Sequence, residues 1–251
     1  MPSSPSSLFR ILPLLLVLLL SLLSVSAVVA QEAPEKRLPD KQELQSRLDE
    51  RVANASDPPS ATAQEEIDAL SEAIDAVEKL AEVERDLESL ERRIEEAPER
   101  LAALEEALRQ SEEGESHNLA ELEGLKMPAV EQRLSDATRV LQSTQDTLTS
   151  VQSQLLGAQT LPERAQQAIT EANREMDEAR VKLEDLNRRD VPEDAPLRVA
   201  ARARQALAEA QLELHQRQLN TNTRMREVLQ QRLALLKLEA ASEEAWVSAL
   251  Q

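Results

Sequence analysis

The chain has 251 residues, 41% apolar and 1% aromatic, with 29 basic against 47 acidic residues, a net charge of −18 and no cysteine. That balance lacks the basic face a nucleic-acid binder needs to neutralise phosphates, and without a thiol there is no disulfide, thiolate metal site or cysteine nucleophile. Leucine and alanine dominate the apolar set, and Phe9 and Trp246 are the only rings, a composition suited to thin seams between long helices and not to an aromatic-filled enzyme core.

Residues 1–30 read as an address. Met1–Arg10 is Ser/Pro-rich with one positive charge, Ile11–Leu23 is an almost unbroken apolar run, and Val28-Val29-Ala30 supplies small residues before a cleavage point at Gln31. This is the layout of a secretory signal peptide. Ser24-Val25-Ser26-Ala27 offers a second cleavage site, and residues 11–30 are also long enough to stay as an uncleaved anchor, which needs roughly 20 residues. No later segment is apolar enough to cross a bilayer.

Residues 31–61 form a leader with a short helix and a Pro-rich linker. Asp40 is a candidate N-cap, with Glu43 three residues on completing a capping box, and the helix it opens runs to about Ala53. Asp57-Pro58-Pro59-Ser60 cannot continue a helix. Asn54-Ala55-Ser56 matches a glycosylation sequon, read as a chance match in a polar linker.

Residues 62–251 carry the helical domain. From about Thr62 to Glu96, Ile67, Leu70, Ile74, Val77, Leu80, Val83, Leu87, Leu90 and Ile94 alternate by threes and fours, with one slip between Val77 and Val83. Pro98 predicts a kink or a new first turn, and Leu101, Leu104 and Leu108 carry the stripe onward. Residues 111–128, with Gly114, Gly124 and Pro128, predict a chain reversal. A clean seam follows from Val130 through Leu134, Ala137, Leu141, Thr144, Leu148 and Val151 to Leu155. Gly157 and Pro162 predict a second break near 157–162. Ile169, Ala172, Met176, Ala179, Leu183 and Leu186 resume the pattern, a polar turn is expected near 187–196, and the last helix runs from about Leu197 with Val199, Ala203, Leu207, Ala210, Leu214, Met225, Leu229, Leu233, Leu236 and Ala240 on its stripe. Such stripes cannot stay in water, because each buried leucine is worth roughly 1.5–3 kcal/mol. The fold class is therefore all-α: long antiparallel helical hairpins in an elongated coiled-coil bundle.

No constellation for catalysis, cofactor or metal emerges, and an enzyme is not expected. His117 sits in a loop and His215 on a helix, each without a second ligand at helical spacing. The acidic pairs Glu65-Glu66, Glu95-Glu96, Glu105-Glu106, Glu112-Glu113 and Glu243-Glu244 belong on solvent faces, since paired carboxylates do acid–base work only in a desolvated pocket. Trp246, in the final turns, reads as ordinary packing. Ala97-Pro98-Glu99-Arg100 and Leu161-Pro162-Glu163-Arg164 place Pro-Glu-Arg where helix first turns would favour it.

Ser153-Gln154-Leu155 followed by Gln159-Thr160-Leu161-Pro162-Glu163-Arg164-Ala165-Gln166 resembles the N-terminal periplasmic region of the large, multi-domain MscS-type mechanosensitive channels, the long potassium-associated channel and its relatives. Glu96-Ala97-Pro98-Glu99-Arg100, Leu38-Pro39-Asp40, Asn222-Thr223 and Leu229-Gln230 extend the resemblance over most of the chain after residue 30. The resemblance implies a periplasmic helical segment ahead of a membrane pore that opens in osmotic downshock. The chain stops at Gln251 with no pore segment, so it reads as a fragment, a truncated frame or a free periplasmic form, and no pore residue carries over. The expected partners are protein, either self-association or other channel segments. No nucleic acid is expected, and membrane contact only through a downstream channel domain or an uncleaved N-terminal segment. A stand-alone periplasmic coiled-coil adaptor or chaperone is the alternative.

Overall fold

The computed structural model describes residues 37–56, 58–113 and 126–251. The chain divides into two units, Met1–Leu38 and Pro39–Gln251, and the four described helices lie in the second. The signal-peptide reading, His117 and the centre of the 111–128 reversal lie outside the described residues.

The unit is all-α, built from α1 (Lys41–Ala53), α2 (Ala61–Glu112), α3 (Met127–Arg188) and α4 (Pro196–Leu250). Asp40 caps α1, its carboxylate accepting from the Glu43 N–H at 2.8 Å. Ser60 caps α2 in the same way, accepting from Ala63 N–H at 3.2 Å. Each cap satisfies one of the four N–H groups that a helix start leaves orphaned. Pro128 and Pro196 open α3 and α4, where a missing N–H costs nothing.

Two expected interruptions are absent. Neither Pro98 nor the Gly157–Pro162 segment ends a helix: α2 continues through Pro98 for 52 residues and α3 through Pro162 for 62. At 1.5 Å per residue these are rods of about 78 and 93 Å. The reason is the phase of the seam. Val130, Ala137, Thr144, Val151, Ala158, Ala165, Ala172, Ala179 and Leu186 recur every seven residues across Pro162. Burial of that uninterrupted face outweighs one lost backbone hydrogen bond, so proline perturbs the helix without stopping it.

The helices run alongside α4. The ion pairs Glu72–Arg204 and Glu91–Arg217 ascend together, so α2 lies parallel to α4. Asn187 near Arg198 and Gln145 near Glu244 show α3 running antiparallel to it. Short α1 folds back on α2, with Lys41 on Glu78 and Arg51 on Glu66. Leu44, with no exposed surface, joins Leu70, Ala73, Ile74, Val199 and Ala200 in the densest core. There α4 is enclosed on most sides, and Ala200, Ala201, Ala203 and Ala208 are all fully buried. Alanines let the helix axes approach to the short end of the usual 8–10 Å.

The turn from α3 to α4 is a tightly bonded reversal. Asp190 takes φ 51°, the left-handed region. Val191 N–H reaches Leu186 C=O and Asp190 N–H reaches Asn187 C=O, both at 3.1 Å, the paired bonds of a Schellman cap. Arg198, with 15% of its side chain exposed, donates to Val191 C=O at 2.6 Å and pairs with Glu193 at 3.1 Å.

Candidate functional site: the groove over α4

Both α2 and α3 pack on α4 while barely touching each other. A groove is left between them, with α4 as its floor. Arg204, Gln211, Gln218, Met225 and Arg232, seven residues apart, line that floor. The sevenfold spacing keeps them on one face of the helix.

The two ends of the groove differ in charge. Near α1, Glu72 and Asp75 of α2 and Glu175 and Glu178 of α3 meet Lys79, Arg174, Lys182 and Arg204. The four acids match the four bases in number, and two pairs form among them: Arg204 with Glu72, and Arg174 with Glu178, Arg174 also holding Glu171. The Glu171 carboxyl is held below its usual range, chiefly by the hydrogen bond from Arg174, and the Arg174 guanidinium is pushed up by the same bond. About 25 Å further along α4, the groove opens into a space of about 380 Å³. Every charged residue lining it is basic: Arg93 and Arg100 of α2, Arg164 of α3 and Arg232 of α4.

This second region is also where the helices are locally weakest. Ala97, beside Pro98, faces Leu161, beside Pro162, across Asn222 of α4. Each proline removes one intrahelical N–H. Asn220-Thr221-Asn222-Thr223 is the stretch of α4 with the poorest helix formers. Arg164 and Thr160 both donate to Gly157 C=O, at 3.0 and 3.1 Å, on the N-terminal side of Pro162. Asn222, 6% exposed, is the buried polar residue among those described, and its side chain makes no hydrogen bond to any described residue.

Of the residues considered from sequence, Ala97, Arg100, Leu161 and Arg164 of the two Pro-Glu-Arg segments line this groove, while His215, Trp246 and the acidic pairs do not. His215 is part-buried, its Nδ1 3.1 Å from Gln218 Oε1. Trp246 is half-buried near the end of α4. Several members of the acidic pairs sit on outer faces, where Glu96 binds Arg100 at 2.7 Å and Glu106 and Glu113 bind Arg109. Glu66 instead pairs with Arg51 of α1 with 23% of its side chain exposed, and Glu244 takes a bond from Gln145 of α3 at 3.3 Å. Among the described residues no three His, Asp or Glu side chains are grouped to hold a metal ion. The groove was missed because its walls are α2 and α3, whose facing residues lie far apart in the chain, as Glu72 and Lys182 do. The signal that could have found it is the run of arginines at one phase, Arg93 with Arg100, opposite Arg164.

Comparison with known proteins gives one concordant picture. The sequence profile described as the mechanosensitive ion channel porin domain matches residues 36–251. The mechanosensitive channel MscK of Escherichia coli (strain K12) is 29% identical over 130 residues, covering 52% of this chain and 12% of that protein. The matched stretch is thus about an eighth of the relative's length. No solved structure matches. Among the described residues no helix is long and apolar enough to cross a membrane.

Proposed function

The chain belongs to the mechanosensitive ion channel porin-domain family, and from that premise we propose that its helical unit is a periplasmic scaffold and sensor segment of a tension-gated channel, acting in osmotic downshock. The observation that carries this reading is the extent of the family match, which takes in the whole of α1 to α4. Three helices of 52 to 62 residues packed side by side suit a load-bearing strut: force along the axis is shared by three long backbone hydrogen-bond ladders, in which each internal proline removes a single rung. Residues 1–30 act as the export signal, and the acidic outer surface faces the periplasm.

Two measurements test this. The native chain has no cysteine, so a single exposed cysteine, Gln230→Cys, reports location without background. Labelling by a membrane-impermeant maleimide in cells with a permeabilised outer membrane is expected; labelling only after lysis overturns the periplasmic assignment. For the sensor role, residues 36–251 replace the matching segment of the E. coli channel and the tension threshold is recorded by patch clamp. A threshold equal to that of a channel lacking the segment altogether would remove the sensor reading and leave only a scaffold.

A further inference from the structure

We propose that the arginine-lined end of the groove is a binding site for a small phosphate-bearing anion, held between α2, α3 and α4. Three observations converge there. First, the chain carries a net charge of −18, yet the charged residues lining this space are Arg93, Arg100, Arg164 and Arg232, with no acid among them. The other end of the same groove balances its charges internally. An all-basic lining on an acidic protein leaves like charges facing one another, an arrangement that a bound anion relieves.

Second, donor capacity is left over. Arg93 uses Nε on Ser89 C=O at 3.3 Å, which leaves its terminal nitrogens free. Arg232 makes no hydrogen bond or ion pair among the described residues. Arg100 is committed to Glu96 and Arg164 to Gly157, so the first two carry the recognition and the others add field. Third, Asn222 is nine-tenths buried, lines the same space and has an unengaged amide. A buried polar side chain normally has a partner; here the ligand supplies it.

The volume, about 380 Å³, lies at the small-ligand end of known pockets. Guanidinium forks arriving from separate helices suit the several oxygens of a phosphate better than a single carboxylate. A bound phosphate would tie the three helices together beside Pro98 and Pro162, where each is least able to hold itself straight. The site stands or falls independently of the channel role.

The test uses the full chain and pyrophosphate as probe, by calorimetric titration at low ionic strength. Saturable binding at one site and a rise in Tm with pyrophosphate are expected. Affinity should drop at least tenfold in Arg93→Gln/Arg232→Gln and stay within twofold in Lys79→Gln/Lys182→Gln, from the charge-balanced end. Far-UV circular dichroism checks that each variant is folded, and Arg93→Lys/Arg232→Lys should recover part of the affinity. Phosphatidylglycerol vesicles form the second arm. Co-sedimentation lost in Arg93→Gln/Arg232→Gln would assign the phosphate to a lipid headgroup and still support the site. Absence of binding in both arms, or equal losses in the two glutamine pairs, would overturn it.

Discussion

Arg164 reaches back seven residues along its own helix to donate to Gly157 C=O at 3.0 Å, with Pro162 between them. The carbonyl that Pro162 deprives of its N–H is that of Ala158, four residues back, so these bonds do not stand in for the missing one. They use the second lone pair of the neighbouring Gly157 carbonyl, which takes the Thr160 hydroxyl as well as the guanidinium. Side chains on both sides of Pro162 are thereby tied to the turn that the proline weakens.

Gly157 itself leaves room for stabilisation. A Cβ built there meets nothing within 4 Å, so alanine fits without displacing a neighbour. Glycine in a helix interior costs roughly 0.5–1 kcal/mol relative to alanine. Gly157→Ala should therefore raise Tm by a few degrees, given about 2–4 °C per kcal/mol for a chain of this size. A fall in Tm by differential scanning calorimetry would mean that glycine's freedom, and not merely its small size, is needed at the bend.

Asn222 shares its phase on α4 with Ala201, Ala208, His215, Leu229 and Leu236, so with His215 it interrupts an otherwise apolar stripe. Leucine there replaces an amide that no described residue engages with an apolar side chain whose burial is worth roughly 1.5–3 kcal/mol. Asn222→Leu is expected to stabilise the folded chain in urea titration by about that amount. Unchanged or lower stability would show that the amide has a partner in solution.

The α3–α4 reversal rests on Arg198, which joins Val191 C=O, Asn187 and Glu193. Hydrogen bonds to a charged group contribute about 1.5–3 kcal/mol, and this side chain is largely buried. Arg198→Ala should cost about 2–3 kcal/mol in urea unfolding, and Asp190→Gly should offset part of it by relieving the left-handed backbone at φ 51°. If Arg198→Ala is neutral, the Schellman bonds alone hold the turn.

Glu171 and Glu106 have carboxyls held below the ordinary 4.5, the first chiefly by the hydrogen bond from Arg174 and the second by that from Arg109. A depressed folded-state pKa means that the stabilisation is complete above the unfolded value and is lost as pH falls through the folded one. Both side chains lie on the solvent surface, about half exposed, so the effect on global stability is small. Carboxyl-carbon NMR titration should find Glu171 protonating below 4.5 in the native chain and moving back towards it in Arg174→Gln.

Much of the helical order was legible in the sequence, because a seam repeating every seven residues leaves few alternatives. The Asp40 cap and the Pro128 start were visible as local chemistry. What was not legible was continuity: Pro98 and Pro162 read as stops by local rules, whereas the phase running from Val151 through Ala158 to Ala165 ignores them. Nor was the alanine core visible, since Ala69, Ala73, Ala76, Ala200 and Ala208 count little in a search for leucine stripes yet set how closely helices approach. The groove was hidden for a related reason. It depends on α2 lying parallel to α4, a relation between distant segments that no window of sequence contains.

Pro98 and Pro162 border the same cross-section, beside Ala97 and Leu161 at the walls around Asn222. A single proline in one helix of a bundle is splinted by its neighbours. Prolines at one level in two helices, opposite the Asn/Thr run of the third, leave no strong splint, so bending should concentrate there. Spin labels at Ser143→Cys and Asp177→Cys straddle Pro162 on α3, about 50 Å apart along a straight helix. Pulsed dipolar spectroscopy should give a broadened distance distribution in the native background. It should narrow and shift to longer distance in Pro98→Ala/Pro162→Ala, with Pro162→Ala alone giving an intermediate result. Identical distributions in all three backgrounds would mean that the seam on α4 already holds the rod straight, and that the two prolines share a level without sharing a role.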